Sequence, residues 1–117
     1  VDDSIVRGTT SREIIRMVKS CGAKKVYFVS TCSPIKYPCF YGIDIPNANE
    51  LLASKLSVKA IEEYLGVDHI MYQNPEDIVE AITRKGDHQI DKPCMACLDG
   101  DYVCGTNKVA KDRSRME

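Results

Sequence analysis

Nowhere in the sequence does an apolar run approach the roughly 20 residues that a membrane-spanning helix requires, and the first residues lack the charged-then-apolar layout of a secretion signal. These absences predict a chain with no membrane partner, working in the cytoplasm or in a reducing organelle. An excess of one charge is lacking too: 16 Lys and Arg against 17 Asp and Glu leave a net charge of -1. That excludes the broad basic face of a nucleic-acid binder, so any anion must be gripped locally. There is no biased tract and no internal repeat, and 117 residues with 44% apolar and 28% charged side chains suit one packed domain rather than two. An initiating Met is also absent. The chain opens at Val1, at what reads as the end of a buried strand, so the expectation is the C-terminal piece of a longer chain, with an ordered unit over 1–105 and a polar, frayed tail over 106–117.

What is present is an alternation of helix and strand. Ile14, Ile15, Met17, Val18 and Cys21 recur at helical spacing over about Thr9 to Cys21, with Thr10 or Ser11 as cap, Glu13 in the first turn and Gly22 as terminator. Lys24 to Thr31 is a β-branched and aromatic run that predicts a buried strand. Strand end, loop, helix, strand is a βαβ unit, whose strands pair in parallel; the fold class is therefore α/β, with a parallel sheet. Pro34, Pro38 and Gly42 break the next stretch, leaving a short strand around Phe40 to Ile43. Helices follow over Asn47 to about Ser54, Ser57 to Leu65, and Pro75 to about Arg84, with a strand at His69 to Gln73 between the last two. Beyond Gly86 the pattern fades. Met17, Tyr27, Phe28, Tyr64 and Met71 read as core filling, His69 as a strand residue near the surface and His88 as a loop residue.

The chemistry is concentrated in the opening residues. A loop that holds a phosphate without a basic patch uses backbone N–H groups, small side chains and a helix N-terminus. Gly8 permits close approach, and Thr9, Thr10 and Ser11 offer hydroxyls at the start of a helix. Asp2 and Asp3, with Ser4 beside them, stand at the carboxyl end of a strand, where open α/β sheets place ligands. Adjacent carboxylates there accept hydrogen bonds from a ribose or help hold hydrated Mg²⁺. Either half alone is a common polar turn or helix cap; joined, they describe a sugar bearing a 5′-phosphate. Arg7 meets the phosphate or is a solvated loop residue.

This string resembles the phosphoribosyl-diphosphate motif of type I phosphoribosyltransferases. With GAKKVYF, the run YPCFYGIDIP and NELLAS, the likeness extends to the C-terminal part of the amidophosphoribosyltransferases and reaches about Val103. The resemblance implies part of the type I phosphoribosyltransferase fold, with C-terminal helices and a parallel sheet. It implies that Asp2 and Asp3 lie beside the ribose hydroxyls and Mg²⁺, that Arg7, Gly8, Thr9, Thr10 and Ser11 wrap the 5′-phosphate of phosphoribosyl diphosphate, and that no side chain here need act as a base. The reaction implied transfers glutamine-derived ammonia to the anomeric carbon, opening purine synthesis. The glutaminase domain would lie upstream, the full-length enzyme would be a homo-oligomer, and this piece alone would be inactive.

Six cysteines could form three disulfides, but the regular helices and strands favour reduced thiols or metal ligands. Cys94 and Cys97 form C-x-x-C. A closed zinc ribbon wants a second such pair, which is missing, and a redox pair would sit earlier, between strand and helix; two unligated thiols remain open. The resemblance implies more: Cys39, Cys94 and Cys97 stand where the iron-sulfur branch of the family has ligands of a [4Fe-4S] cluster, the fourth coming from upstream. Such a cluster would be structural, tying the tail to the segment around Cys39. Cys21 and Cys32 read as small core residues. Cys104, in DGDYVCG, falls where the sequence departs from the G-x-Y-P ending of that branch. Two rival readings stand beside the enzyme: a type I phosphoribosyltransferase acting on a nucleobase, and a non-catalytic protein that senses phosphoribosyl diphosphate. Both acids of the pair are retained, and no base-binding hood follows Thr31.

Overall fold

Parallel pairing of two β-branched and aromatic segments organises the chain. In the computed structural model, which describes residues 1–45, 47–84 and 90–104, β1 (Tyr27–Ser30) pairs in parallel with β2 (His69–Tyr72), Tyr27 facing His69 and Ser30 facing Tyr72. Asp2 makes an isolated parallel bridge to Ser30: its N–H donates to the Val29 carbonyl (2.9 Å) and its carbonyl accepts from the Thr31 N–H (3.0 Å). Strand end, α1 (Thr9–Ser20) and β1 thus make the expected βαβ crossover. A second crossover, through α2 (Leu52–Lys55) and α3 (Val58–Leu65), leads to β2, and α4 (Pro75–Thr83) and α5 (Ala96–Asp99) follow.

The core lies between the sheet and the helices that cross over it. Ile5, Ile15, Phe28, Ile61, Leu65 and Ile70 form one buried cluster, with Val26, Leu52, Leu56 and Val67 packed around it. Helix α3 is the best specified element. The Ser57 hydroxyl accepts from the Ala60 N–H (3.3 Å), and Gly66 closes the helix at φ 73°, its N–H donating to the Glu62 carbonyl (2.9 Å).

Several expectations are corrected. Helix α1 is capped by Gly8 and not by Thr10 or Ser11, because the turn begins earlier: the Arg12 N–H donates to the Gly8 carbonyl (2.9 Å) and Ser11 is already inside the helix and buried. Glu13 consequently lies beyond the first turn. Only Ile15 of the apolar stripe is buried; Ile14, Met17 and Val18 are 40 to 60% exposed and Cys21 is exposed at the helix end, because no described residue covers that face. Tyr27, Tyr64 and Met71 are likewise exposed, whereas Phe28 is buried.

β1 is shorter than the run Lys24 to Thr31, and Phe40 to Ile43 forms no strand. Its backbone bonds stay local, the Tyr41 N–H donating to Cys39 Sγ (3.3 Å) and the Ile45 N–H to the Ile43 carbonyl (2.8 Å). The helix expected over Asn47 to Ser54 is broken into a 3-10 turn (Ala48–Glu50) and α2. Between them Leu51 is extended and fully buried, and the Leu52 N–H leaves the helical pattern to donate to the Val6 carbonyl (3.1 Å). Helix α5 lies where no element was expected. His88 and the tail 106–117 fall outside the described residues.

Candidate functional site

Two concavities gather the residues singled out in the sequence. The first, about 430 Å³, is lined by Asp2, Asp3, Ser4, Val6, Arg7, Gly8, Thr9, Thr10 and Ser11, so all eight residues singled out in the opening string face one space. The bridge to Ser30 anchors Asp2, buried Ile5 anchors the middle of the loop, and the bond from Leu52 to Val6 anchors its return. The Asp2 carboxylate accepts from the Asp3 N–H (3.0 Å) and that of Asp3 from the Ser4 N–H (2.7 Å). These bonds orient the two acids along the chain, and Asp3 remains exposed to a ligand. Gly8, at φ 74°, adopts a conformation that side chains resist, and an added Cβ there would run into the Leu52 side chain. Glycine is therefore required twice over at the helix start, and the first turn of α1 is aimed at the same space as the acids.

Arg7 lines this space and is an exposed loop residue, and it has a partner in the fold. Its Nε donates to Glu50 Oε2 (2.7 Å), with each side chain about half exposed. Glu50 gave no sign of this in the sequence: it lies 43 positions away, in the 3-10 turn. A second partner missed is Glu62, whose Oε1 lies 2.7 Å from His69 Nδ1 and accepts from the Ile70 N–H (2.9 Å). His69 is otherwise the exposed strand residue expected.

The second concavity, about 540 Å³ with an almost wholly apolar wall, is lined by Cys39, Cys94, Cys97 and Cys104 together with Tyr41, Ile43, Ile45 and Val103. Cys39 and Cys97 are half-buried, and all six cysteines are free of disulfides. The loop carrying Cys39 is tied to α5, as the Lys36 and Tyr37 N–H groups both donate to the Cys97 carbonyl (3.0 Å each). Burial chiefly, reinforced by the neighbouring thiols of Cys32, Cys39 and Cys94, pushes the Cys97 thiol above its ordinary range. Cys32 is raised by burial and by the Asp3 charge, against a lowering hydrogen bond from the Ser33 backbone. It is half-buried rather than in the core. Among the described residues no three His, Cys, Asp or Glu side chains converge closely enough to hold a single metal ion, and no helix is long and apolar enough to cross a membrane.

With this geometry in hand the comparisons with known proteins become informative. No family model matches the chain. It is 48% identical over 103 residues to the amidophosphoribosyltransferase of Escherichia coli (strain K12), covering 88% of this chain and 20% of that protein. It is 46% identical over 107 residues to that of Methanocaldococcus jannaschii, covering 92% and 21%, and 44% over 102 residues to that of Bacillus subtilis (strain 168), covering 87% and 21%. Among solved structures, one described as the allosteric regulatory enzyme of purine biosynthesis superposes with a TM-score of 0.76 at 43% identity, over 87% of this chain and 22% of that one. Glutamine phosphoribosylpyrophosphate amidotransferase from B. subtilis, complexed with ADP and GMP, superposes at 0.74 and 42% identity, over 86% and 22%. The expected partial phosphoribosyltransferase fold, α/β with a small parallel sheet, is borne out by these superpositions. By sequence and by fold the chain is a homologue, over about nine-tenths of its length, of one segment of the amidophosphoribosyltransferases, and it spans about a fifth of the length of those relatives.

Proposed function

We propose that this chain supplies the phosphoribosyl-binding loop of an amidophosphoribosyltransferase: a longer, cytoplasmic, homo-oligomeric enzyme that transfers glutamine-derived ammonia to phosphoribosyl diphosphate and forms 5-phosphoribosylamine. The observation that carries this reading is the single concavity into which Asp2, Asp3 and Ser4 face together with the segment from Arg7 to Ser11. The exposed stripe on α1, and a sheet of only two strands plus one bridge, support further protein packed on this segment. A glutaminase unit on the same protein is part of this proposal, since ammonia must come from outside the segment.

In this mechanism the backbone N–H groups and hydroxyls at the start of α1 hold the 5′-phosphate, with the helix dipole favouring the anion. The Asp2 and Asp3 carboxylates accept hydrogen bonds from the ribose hydroxyls and so fix the ring. The ammonia lone pair forms the new C–N bond at the anomeric carbon as the bond to diphosphate breaks, diphosphate leaving with the electron pair, and the ammonium group so formed loses one proton to diphosphate or solvent to give the amine. Positive charge grows on the sugar meanwhile; positioning and electrostatics, with no protein nucleophile, supply the rate. Arg7 must exchange Glu50 for phosphate if it takes part.

Two groups fit the donor sets. Two adjacent carboxylates with open space beside them suit Mg²⁺, which keeps most of its water and substrate phosphate as ligands and when bound neutralises the departing diphosphate. Cys39, Cys94 and Cys97 around one apolar concavity suit a [4Fe-4S] cluster, which spreads its thiolates more widely than a single ion does. The role proposed for it is a structural tie between α5 and the loop around Cys39. The decisive test is Asp3→Asn in the complete enzyme. We expect kcat for phosphoribosylamine formation to fall by a factor of about 100 or more with folding intact. An unchanged rate rejects the assignment, and a parent protein that binds phosphoribosyl diphosphate without turnover turns it into a sensor.

A further inference from the structure

Arg7 is the only basic side chain among the described residues that line the first concavity, and a carboxylate already holds it. Its Nε donates to Glu50 Oε2 (2.7 Å), and the guanidinium has no other partner among the described residues. The two ends of this pair are unlike. Glu50 belongs to a turn fastened on both sides: its own N–H donates to the Asn47 carbonyl (2.8 Å), the next residue, Leu51, is fully buried, and the Leu52 N–H donates to the Val6 carbonyl (3.1 Å). The Arg7 side chain reaches across from the loop on a long stem, with about half its surface in solvent. When the pair opens, the carboxylate therefore stays where the turn puts it and the guanidinium moves.

We propose that Glu50 sets the affinity of the loop for the 5′-phosphate: in the empty site its carboxylate stands on Arg7 in place of a phosphate oxygen, and the substrate must displace it. This rests on the phosphoribosyl reading above and deepens it, making Glu50 a residue that tunes substrate binding without touching the substrate. A carboxylate offers Arg7 one negative charge and two acceptor oxygens, whereas a phosphate monoester offers a charge of about −1.5 to −2 at pH 7 and three strong acceptors. A guanidinium within reach of both passes to the phosphate, which takes two parallel N–H bonds where Glu50 takes the Nε bond. The carboxylate left behind is about half exposed, so water solvates it again. The penalty on binding is then that of a surface ion pair and not that of an uncompensated buried charge.

The test compares the complete enzyme with its Glu50→Gln, Arg7→Ala and doubly substituted forms, reading KM and kcat for phosphoribosyl diphosphate and the competitive inhibition constant of ribose 5-phosphate. We expect Glu50→Gln to lower both KM and that constant by a factor of about 2–5, the effect of an exposed ion pair, with kcat changed by less than about twofold. Glu50→Ala, which also removes the pair, should repeat the fall. Arg7→Ala should raise both constants by a factor of about 10 or more, and Glu50→Gln should then have no further effect. The difference between wild type and Glu50→Gln should shrink as ionic strength rises from about 0.05 M to about 0.5 M, because an exposed pair is screened; a purely structural substitution would not follow salt in this way. A KM that is unchanged or higher in both Glu50 variants overturns the proposal, and so does an equal fall with and without Arg7, since Glu50 would then act by general repulsion of the anion. Unchanged constants in Arg7→Ala overturn it as well, while the phosphoribosyl reading stands as long as Asp3→Asn loses turnover.

Discussion

Replacing Gly8 by alanine separates the two demands that the opening loop places on that position. The first is conformational: at φ 74° an L residue costs about 1–2 kcal/mol relative to glycine. The second is steric: the new Cβ would overlap the Leu52 side chain and lie 3.3 Å from the side chains of Leu65 and Tyr64. Overpacking of this sort costs about 1–3 kcal/mol, and the lower end applies because Leu52 is only partly buried, in a short helix that can give. The sum is about 2–3 kcal/mol, read as a shift of the urea midpoint at unchanged slope. A double-mutant cycle divides it. Leu52→Ala removes the overlap but not the backbone strain, so Gly8→Ala in that background should cost only about 1–2 kcal/mol, leaving a coupling of about 1 kcal/mol. Equal costs in the two backgrounds would refute the steric half of the argument. A Gly8→Ala protein as stable as the wild type would refute both halves, and with them the claim that the loop needs glycine.

Three further outcomes follow from groups outside the loop. The Tyr72 hydroxyl is buried with no hydrogen-bond partner among the described residues, so Tyr72→Phe should raise stability by about 1 kcal/mol in denaturant titration; a loss of that size would mean that a partner exists. Burial raises the thiols of Cys32 and Cys97 above their ordinary range and pushes Tyr72 up to about 12, so the folded chain keeps protons that the unfolded chain has already released. The thermal midpoint of the chain should therefore fall as pH climbs from about 9 to about 11, and a rising midpoint would contradict the assignment of those groups. Glu62→Ala should cost about 1–2 kcal/mol by leaving the Ile70 N–H without its acceptor, whereas Glu62→Gln, which keeps an acceptor oxygen, should recover most of it; equal losses would trace the effect to the His69 pair instead.

The parts of this molecule legible in the sequence are those whose signal is local. α3 announces both its ends, Ser57 and Gly66, within ten positions, and the opening string carries its acids, glycine and hydroxyls in one stretch that the loop keeps together. The misreadings share the opposite property. Leu51 breaks a helical pattern because it is drawn into the interior while its neighbour's N–H is claimed by Val6, and nothing near Leu51 in sequence announces a partner 46 positions earlier. The stripe on α1 was read correctly as apolar, but a periodicity reports that a face wants burial and not what buries it. The glutamates that meet Arg7 and the strand at Ile70 were invisible for the same reason.

The stretch from Ser30 to Ser33 shows how such non-local wiring joins the two concavities. Its two serines are buried, which is tolerable because their hydroxyls are satisfied: that of Ser30 donates to the Cys32 carbonyl (2.9 Å), and that of Ser33 to the Gln73 carbonyl (2.5 Å). Thr31 is bonded to Asp2 on one side, and on the other Cys32 feels the charge of Asp3 and in turn raises the thiol of Cys97. An apolar segment here could slide. A hydrogen-bonded one fixes the spacing between the acidic pair and the segment that follows β1.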